Sequence, residues 1–408
     1  AAKETSARLS PLHERYIERV LERLQPDGDL FRSPIGEGEA LPTCSADYGT
    51  AGIAYSLLRL SSRRNDPQLL ALADLWITKS LSQAHKENAF YNEKLELTKE
   101  NVTPVSLHHM INGVFFVKAL VSQALGDMLG QQAAMDAFVG ASSEETNNLD
   151  FTLGRSSVLH GWSLLVENAK GARFPDSTPL IEYGDELMKD IWSRVETFGP
   201  VSKSTEMSYL GMAHGWAGVL YAALRWSQVR EAVTGDDAST ALPEGLPQRL
   251  KELGQWGLPA GRGLVWSWQN EVGGDFASGN NGFMPGWCNG NAGHVFLWTL
   301  ASDVLKQPEY LDLARRAGWG LWEQPSQFNN LCCGAGGCAY AMLNLYRHTG
   351  DRDWLSRGRQ LAHRVVIGEE PPSEHPTDVN SLYKGEIGQI VLLDDLANPE
   401  SARMPLFE

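Results

Sequence analysis

The sequence is short of positive charge, of cysteine and of long apolar runs, and each shortage removes a class of function. Lysine and arginine total 35 against 50 aspartates and glutamates, a net charge of -15. Phosphate backbones are bound by basic surfaces, so no nucleic acid partner is expected. Five cysteines in 408 residues are few and odd in number, which does not make a disulfide scaffold and fits a reducing cytoplasm. No apolar run approaches the roughly 18 residues of a membrane helix, so no membrane contact is expected. Ala1 to Val20 is too polar for a secretory signal. Strand-like alternation is sparse and no nucleotide-binding motif is visible. No pair of carboxylates stands out as a glycosidase would need.

What is abundant is self-similarity, the mark of a repeat architecture. A short glycine turn followed by an apolar run recurs along the chain. It appears at Tyr48-Gly49-Thr50-Ala51-Gly52, in degenerate form at Ile111-Asn112-Gly113, and at Leu153-Gly154-Arg155. The fourth copy is Ala213-His214-Gly215-Trp216-Ala217-Gly218. The fifth and sixth are Gly286-Trp287-Cys288-Asn289-Gly290 and Leu331-Cys332-Cys333-Gly334, and the seventh is Tyr383-Lys384-Gly385-Glu386-Ile387-Gly388. Each apolar run has helical length and reads as a buried inner helix. Amphipathic stretches between them, such as Gln68 to Ser82, Asp185 to Glu196 and Asp353 to Val366, read as outer helices. Seven inner and seven outer helices predict an all-α fold, an α/α toroid closed as a double ring. Ser142 to Asn148, Gly235 to Pro247 and the Pro-rich Glu369 to Pro376 read as surface loops. None separates blocks of different character, so residues 1–408 are expected to form one domain, with a helical preamble over 1–40 and the repeats over 41–408. A start at Ala1 suggests a piece cut from a longer polypeptide.

Chemistry concentrates in the fifth and sixth turns. Thiolates are strong zinc ligands, and catalytic zinc usually keeps three protein ligands and one open position. Cys288, Cys332 and Cys333 would supply three thiolates for a zinc that activates a thiol. The competing reading is that these cysteines are small buried hydrophobes. Their place in glycine-rich turns argues against it, and the neighbours Cys332 and Cys333 are poorly placed for a disulfide with each other. Cys44 and Cys338 read as core thiols, with Cys338 as a stray fourth ligand in reserve. His160 and His294 read as structural, and Trp216 and Trp287 as the tryptophans lining the cavity.

The seven glycine turns, the Trp287-Cys288-Asn289-Gly290 and Cys332-Cys333-Gly334 turns and the ending Ala402-Arg403-Met404-Pro405-Leu406-Phe407-Glu408 resemble the lanthionine synthetase C-like cyclases over residues 40–408. The resemblance implies an α/α toroid with one zinc per chain. It implies closure of thioether rings by adding peptide cysteine thiols to dehydroalanine or dehydrobutyrine. By position it assigns Cys288, Cys332 and Cys333 as the metal ligands, where relatives often carry Cys-His-Gly in the sixth turn. It assigns His214 as the histidine that manages the thiol and enolate-carbon protons. Asp150 would be the acid orienting His214, unless it is only a helix N-cap. Relatives carry an arginine shortly before the first zinc cysteine, where this chain has Phe283-Met284-Pro285-Gly286. Arg155 and Arg262 are the replacement candidates, and Asn289 is a second departure. The implied partners are a dehydrated precursor peptide and a dehydratase or kinase-lyase, as a separate protein or a further domain. Two alternatives remain open: a glutathione-adding transferase acting on dehydroamino acids, and a non-catalytic zinc-binding interaction module with a saturated metal.

Overall fold

The computed structural model describes residues 9–35, 43–169, 177–272, 282–368 and 379–408. The stretch 369–376, expected as a loop, lies outside the described residues. Helix dominates, as the pattern predicts. The order is α1 (Pro11–Arg23), α2 (Asp29–Arg32), α3 (Thr50–Arg64), α4 (Pro67–Gln83), α5 (Ile111–Ala124), α6 (Met128–Ala141), α7 (Arg155–Ala169) and α8 (Thr178–Val195). It continues with α9 (Trp216–Thr234), α10 (Leu246–Gln255), a hairpin of β1 (Leu258–Ala260) and β2 (Gly263–Val265), then α11 (Asn291–Leu305) and α12 (Pro308–Glu323). The last helices are α13 (Ala335–Thr349), α14 (Arg352–Ile367) and α15 (Glu386–Asp395).

Two kinds of helix alternate, and they begin differently. The helices that follow the seven turns (α3, α5, α7, α9, α11, α13 and α15) are buried along most of their length. In α7 every residue from Arg155 to Val166 is buried, and in α13 every residue from Ala335 to Leu345. The helices between them bury one face. In α14 it is Trp354, Leu355, Gly358, Leu361, Ala362 and Val365, the spacing of an amphipathic helix. Some of these helices, α4 and α14 among them, start with ordinary side-chain caps: Asp66 accepts from the Gln68 amide at 2.8 Å and Asp351 from the Asp353 amide at 2.9 Å. The region read as a preamble contributes to this pattern. Its α1 packs against α14 and α15, and Arg19 and Arg23 both reach Glu386 of α15 at 2.8 Å.

The buried helices have no side-chain cap, and the chain before them does the capping instead. In α3, α7, α9, α11, α13 and α15 the first helical amide bonds a carbonyl seven residues upstream: Thr50 to Thr43, Arg155 to Asn148, Trp216 to Tyr209, Asn291 to Met284, Ala335 to Phe328 and Glu386 to Val379. Those amides would otherwise lack an intrahelical partner. The closed loop presses its own carbonyl onto the glycine that begins the helix. A Cβ on Gly215 would stand 2.3 Å from the Tyr209 carbonyl oxygen, and one on Gly290 would stand 1.9 Å from that of Met284. Gly215 has φ -140° and Gly290 φ -135°, so close backbone approach selects glycine here, not a left-handed conformation.

The chain divides into two compact units, one of residues 1–101, 108–138 and 327–408 and the other of residues 102–107 and 139–326. In the first, Trp76, Phe116, Tyr340 and Tyr383 are fully buried. The ending predicted from the sequence is anchored there: Glu408 pairs with Arg347 and accepts from Asn344 at 2.9 Å, while the Tyr383 hydroxyl donates to the Pro405 carbonyl at 2.7 Å. In the second unit Trp216, Trp226, Trp266, Trp287, Trp298, Phe151 and Phe296 form the core. Trp216 and Trp287 are thus core residues, not residues lining a cavity; at 0% and 1% exposure neither side chain has surface to offer.

Replacing Gly215 with Ala should lower stability by about 3 kcal/mol through overpacking against backbone. The exposed Gly140 of α6, whose Cβ would meet nothing within 4 Å, should gain about 0.5 kcal/mol on the same replacement. Urea midpoints of the two variants test this, and equal shifts would refute the turn-closure account.

Candidate active site

The turns share a register that the sequence pattern hides. The residues two before each buried helix's capping residue are Asp47, His108, Thr152, Ala213, Cys288, Cys332 and Tyr383. The next residues are Tyr48, His109, Leu153, His214, Asn289, Cys333 and Lys384. Backbone bonds join neighbouring turns at the first of these positions. In the second unit the Thr152 amide donates to the Ala213 carbonyl (3.1 Å) and the Ala213 amide to the Cys288 carbonyl (2.7 Å). In the first unit the Cys332 amide donates to Tyr383 (3.0 Å), Leu382 to Asp47 (3.0 Å) and Asp47 to His108 (2.9 Å). Within each unit the chemically distinctive side chains therefore stand at equivalent places on a backbone ladder.

In the second unit this ladder brings Asp150 and His214 together. Oδ1 of Asp150 accepts from the Thr152 amide at 2.7 Å, the Thr152 hydroxyl at 2.9 Å and the Leu153 amide at 2.8 Å. Its Oδ2 lies 2.7 Å from Nδ1 of His214. Asp150 is not the N-cap of α7, a place held by Gly154; it builds the turn ahead of it. A carboxylate that only accepts assigns the Nδ1 proton to His214 and leaves Nε2 as the nitrogen for proton exchange. The His214 side chain is 39% exposed and that of Asp150 11%. The carboxylate is held in the wall and the imidazole reaches solvent. Cys288, 8% exposed, lies one step along the ladder. Gly211 lets that step be short: a Cβ there would stand 2.6 Å from Cα of Asn289.

In the first unit Cys332 and Cys333 sit half-buried at a turn tip. The Cys333 amide bonds Oδ1 of Asn330 at 2.9 Å, and Nζ of Lys384 lies 3.4 Å from Cys333 Sγ. The hydrogen bond with Cys332 pushes the Cys333 thiol well above the usual range, helped by burial and by the charge of Cys332, while Lys384 and Asn330 pull it down. Two crowded thiols, Cys333 resisting ionisation beside Cys332, form a donor set suited to a soft divalent cation. Asp47 is buried in the same unit, and burial pushes its carboxyl up to about 7 against the pull of Lys384. His109 Nε2 lies 3.9 Å from Asp47, and Tyr48 stacks on the His109 ring with centroids 5.8 Å apart.

None of the five cysteines is in a disulfide. Among the described residues, no three His, Cys, Asp or Glu side chains are gathered tightly enough to hold a metal ion. Cys44 is a core thiol pushed up to about 11 by burial, and Cys338 is buried inside α13. His294 stacks against Trp266 and Trp298 and is pushed down to about 3 by burial. His160 is likewise buried. The two arginine candidates are committed elsewhere. Arg155 holds the Ser142 carbonyl at 2.6 Å and pairs with Asp190, while Arg262 pairs with Glu323 and lies over the Trp319 ring at 3.6 Å. Sequence reading missed Lys384, Asp47, His109 and Thr152. Counting positions back from each helix start would have found them.

Comparison with known proteins follows the same lines. The family model for lanthionine synthetase C-like proteins matches residues 42–408. Glutathione S-transferase LANCL1 of Danio rerio is 28% identical over 392 residues, covering 90% of this chain and 85% of that protein. LanC-like protein GCL1 of Arabidopsis thaliana is 26% identical over 209 residues, or 49% of this chain and 43% of that one. Among solved structures, nisin cyclase aligns over 97% of this chain and 96% of its own with a TM-score of 0.61 at 17% identity. That likeness shows the fold, the helical toroid expected from the repeats. No described helix is long and apolar enough to cross a membrane.

Two measurements probe this geometry. Replacing Asp150 with Ala should cost about 1–2 kcal/mol by leaving the Leu153 amide without its acceptor and the Thr152 amide with the Ala213 carbonyl alone. It should also mix the tautomers of His214, read by nitrogen NMR of the ring; an unchanged ring spectrum would refute the orienting contact. Asp47 gives a pH signature. Its folded value lies above the ordinary carboxylate value, so its ionisation weakens the fold increasingly as pH rises from about 4 to about 7. Asp47→Asn should therefore stabilise the metal-free protein more at pH 8 than at pH 5, by about 2 kcal/mol. An equal gain at both pH values would show that Asp47 is not held neutral by burial.

Proposed function

The chain belongs to the lanthionine synthetase C-like family, and from that premise we propose that it closes thioether rings in a dehydrated peptide. The family and fold are those of cyclase-type enzymes with a peptide substrate. The observation that carries the finer reading is the His214–Asp150 pair, a carboxylate-oriented imidazole one backbone step from Cys288. Such a group exchanges protons near neutral pH.

The reaction balances without an oxidant or reductant. A cysteine thiol of the peptide gives up its proton to Nε2 of His214. The sulfur forms a bond to the β-carbon of dehydroalanine or dehydrobutyrine, and the π electrons move to the carbonyl as an enolate. The same nitrogen returns the proton to the α-carbon, which gives lanthionine or methyllanthionine. Asp150 keeps the ring in the needed tautomer and offsets the imidazolium charge that forms in between. Dehydration of the peptide is supplied by another domain or protein.

Cys288, Cys332 and Cys333 are the residues that would hold one zinc per chain. When bound, zinc supplies the positive charge that keeps a thiol deprotonated at neutral pH. The crowding of Cys332 with Cys333 and the shared register of Cys288 and Cys332 support this ligand set.

A second reading is addition of glutathione to dehydroamino acids. The similarity to Glutathione S-transferase LANCL1 over 85% of its length favours it. The bond formed is the same and only the thiol's owner differs. Offering one dehydrated peptide that carries its own cysteine, with and without glutathione, separates the readings by product mass.

Purified protein should carry about one zinc, lost in Cys332→Ser and in Cys333→Ser; zinc-free wild type would sink the metal assignment. His214→Ala should keep the metal and lose about 10²–10⁴-fold in turnover. Turnover within threefold of wild type would remove His214 from the mechanism.

A further inference from the structure

Addition of a thiolate to a dehydroamino acid places negative charge on a carbonyl oxygen, and nothing assigned above answers that charge. Histidine serves the proton and the cysteines serve the metal. Preorganised positive charge where the anion develops is usually a large contribution to catalysis. The turn register narrows the search. Among the residues at the two positions preceding each turn's cap, Lys384 is the one lysine or arginine. It occupies the place in the seventh turn that His214 occupies in the fourth and Cys333 in the sixth.

Its surroundings suit the task. The ammonium is 3.4 Å from Cys333 Sγ, and its backbone is pinned by the Ser381 hydroxyl, which accepts from the Lys384 amide at 3.1 Å. On its other side it lines a cavity of about 300 Å³ with Tyr16, Arg19, Asn329, Glu386 and Gln389, to which Cys333 does not contribute. Glu386, two residues on, pairs with Arg19 and Arg23, and the buried Asp47 carboxyl feels the charge of Lys384. An anion that comes to the Cys333 thiol therefore comes to Lys384 as well.

We propose that Lys384 is a catalytic residue of the seventh turn, an ammonium that draws anionic substrate groups to the Cys333 side of the site and stabilises the enolate oxygen. The proposal rests on the thiol-addition reading, so its test needs one arm that does not. In metal-free protein, Cys333 is alkylated with iodoacetate and with iodoacetamide, and the site is resolved by mass spectrometry. Both reagents need the thiolate, so the ratio of their rates cancels its abundance and reports the nearby charge. Lys384→Met should lower the iodoacetate to iodoacetamide ratio about threefold or more, and Lys384→Arg should restore most of it.

The second arm is turnover of a dehydrated peptide by zinc-loaded protein. Lys384→Met should lower kcat about 10- to 100-fold with little change in KM or zinc content, and Lys384→Arg should recover part of it. An unchanged alkylation ratio overturns the proposal whatever the activity. A lowered ratio with unchanged kcat makes Lys384 only a neighbour of the metal ligands and overturns the enolate role. If wild-type protein makes no thioether, the proposed function and the enolate role both fall, and the ratio alone decides whether Lys384 directs anions to Cys333.

Discussion

Everything in this protein depends on how its buried helices begin. A helix that starts in the interior cannot leave its first amides to water, and in these turns glycine, which has no side chain to cap with, holds the capping position. The chain solves this by closing a loop on itself, so that a carbonyl seven residues upstream receives the first helical amide. That closure forces glycine at the contact and leaves two residues before it at the tip of a rigid turn. His214, Cys288, Cys332, Cys333 and Lys384 all occupy such tips.

The ladder between turns has a second effect. A side chain on a lone surface loop moves with the loop, but Ala213 is bonded on one side to Thr152 and on the other to Cys288. The imidazole of His214 is therefore carried by a backbone fixed from two directions, and its Nδ1 is fixed by Asp150. Placement of this kind is what proton transfer requires, because small displacements of a catalytic group cost rate steeply.

Much of this was legible in the sequence, because glycine punctuation and apolar runs of helical length are local signals. The alternation of buried and amphipathic helices followed from them, as did the pairing of Asp150 with His214, once a family resemblance supplied the positions. Other features were hidden for physical reasons. Trp216 and Trp287 stand within two residues of His214 and Cys288 in the chain, yet their side chains are buried in the core. Arg155 and Arg262 were plausible cations by type, but pairing with Asp190 and Glu323 is a tertiary matter no spacing reveals. Lys384 received no role from the sequence, because its significance comes from register, and register becomes visible only when every helix start is known.

The identical construction of the turns separates what folds from what reacts. Glycines, upstream carbonyls and the mostly buried first tip residue maintain the architecture, while the second tip residue is only half-buried in most turns and can be exchanged one at a time. Phe151 and Tyr340 cannot be altered without disturbing the core, but a tip can trade histidine for cysteine or lysine at small structural expense. Such an arrangement works as a set of interchangeable sockets, in which new reactivity can arise by single substitutions while the frame around them is inherited intact.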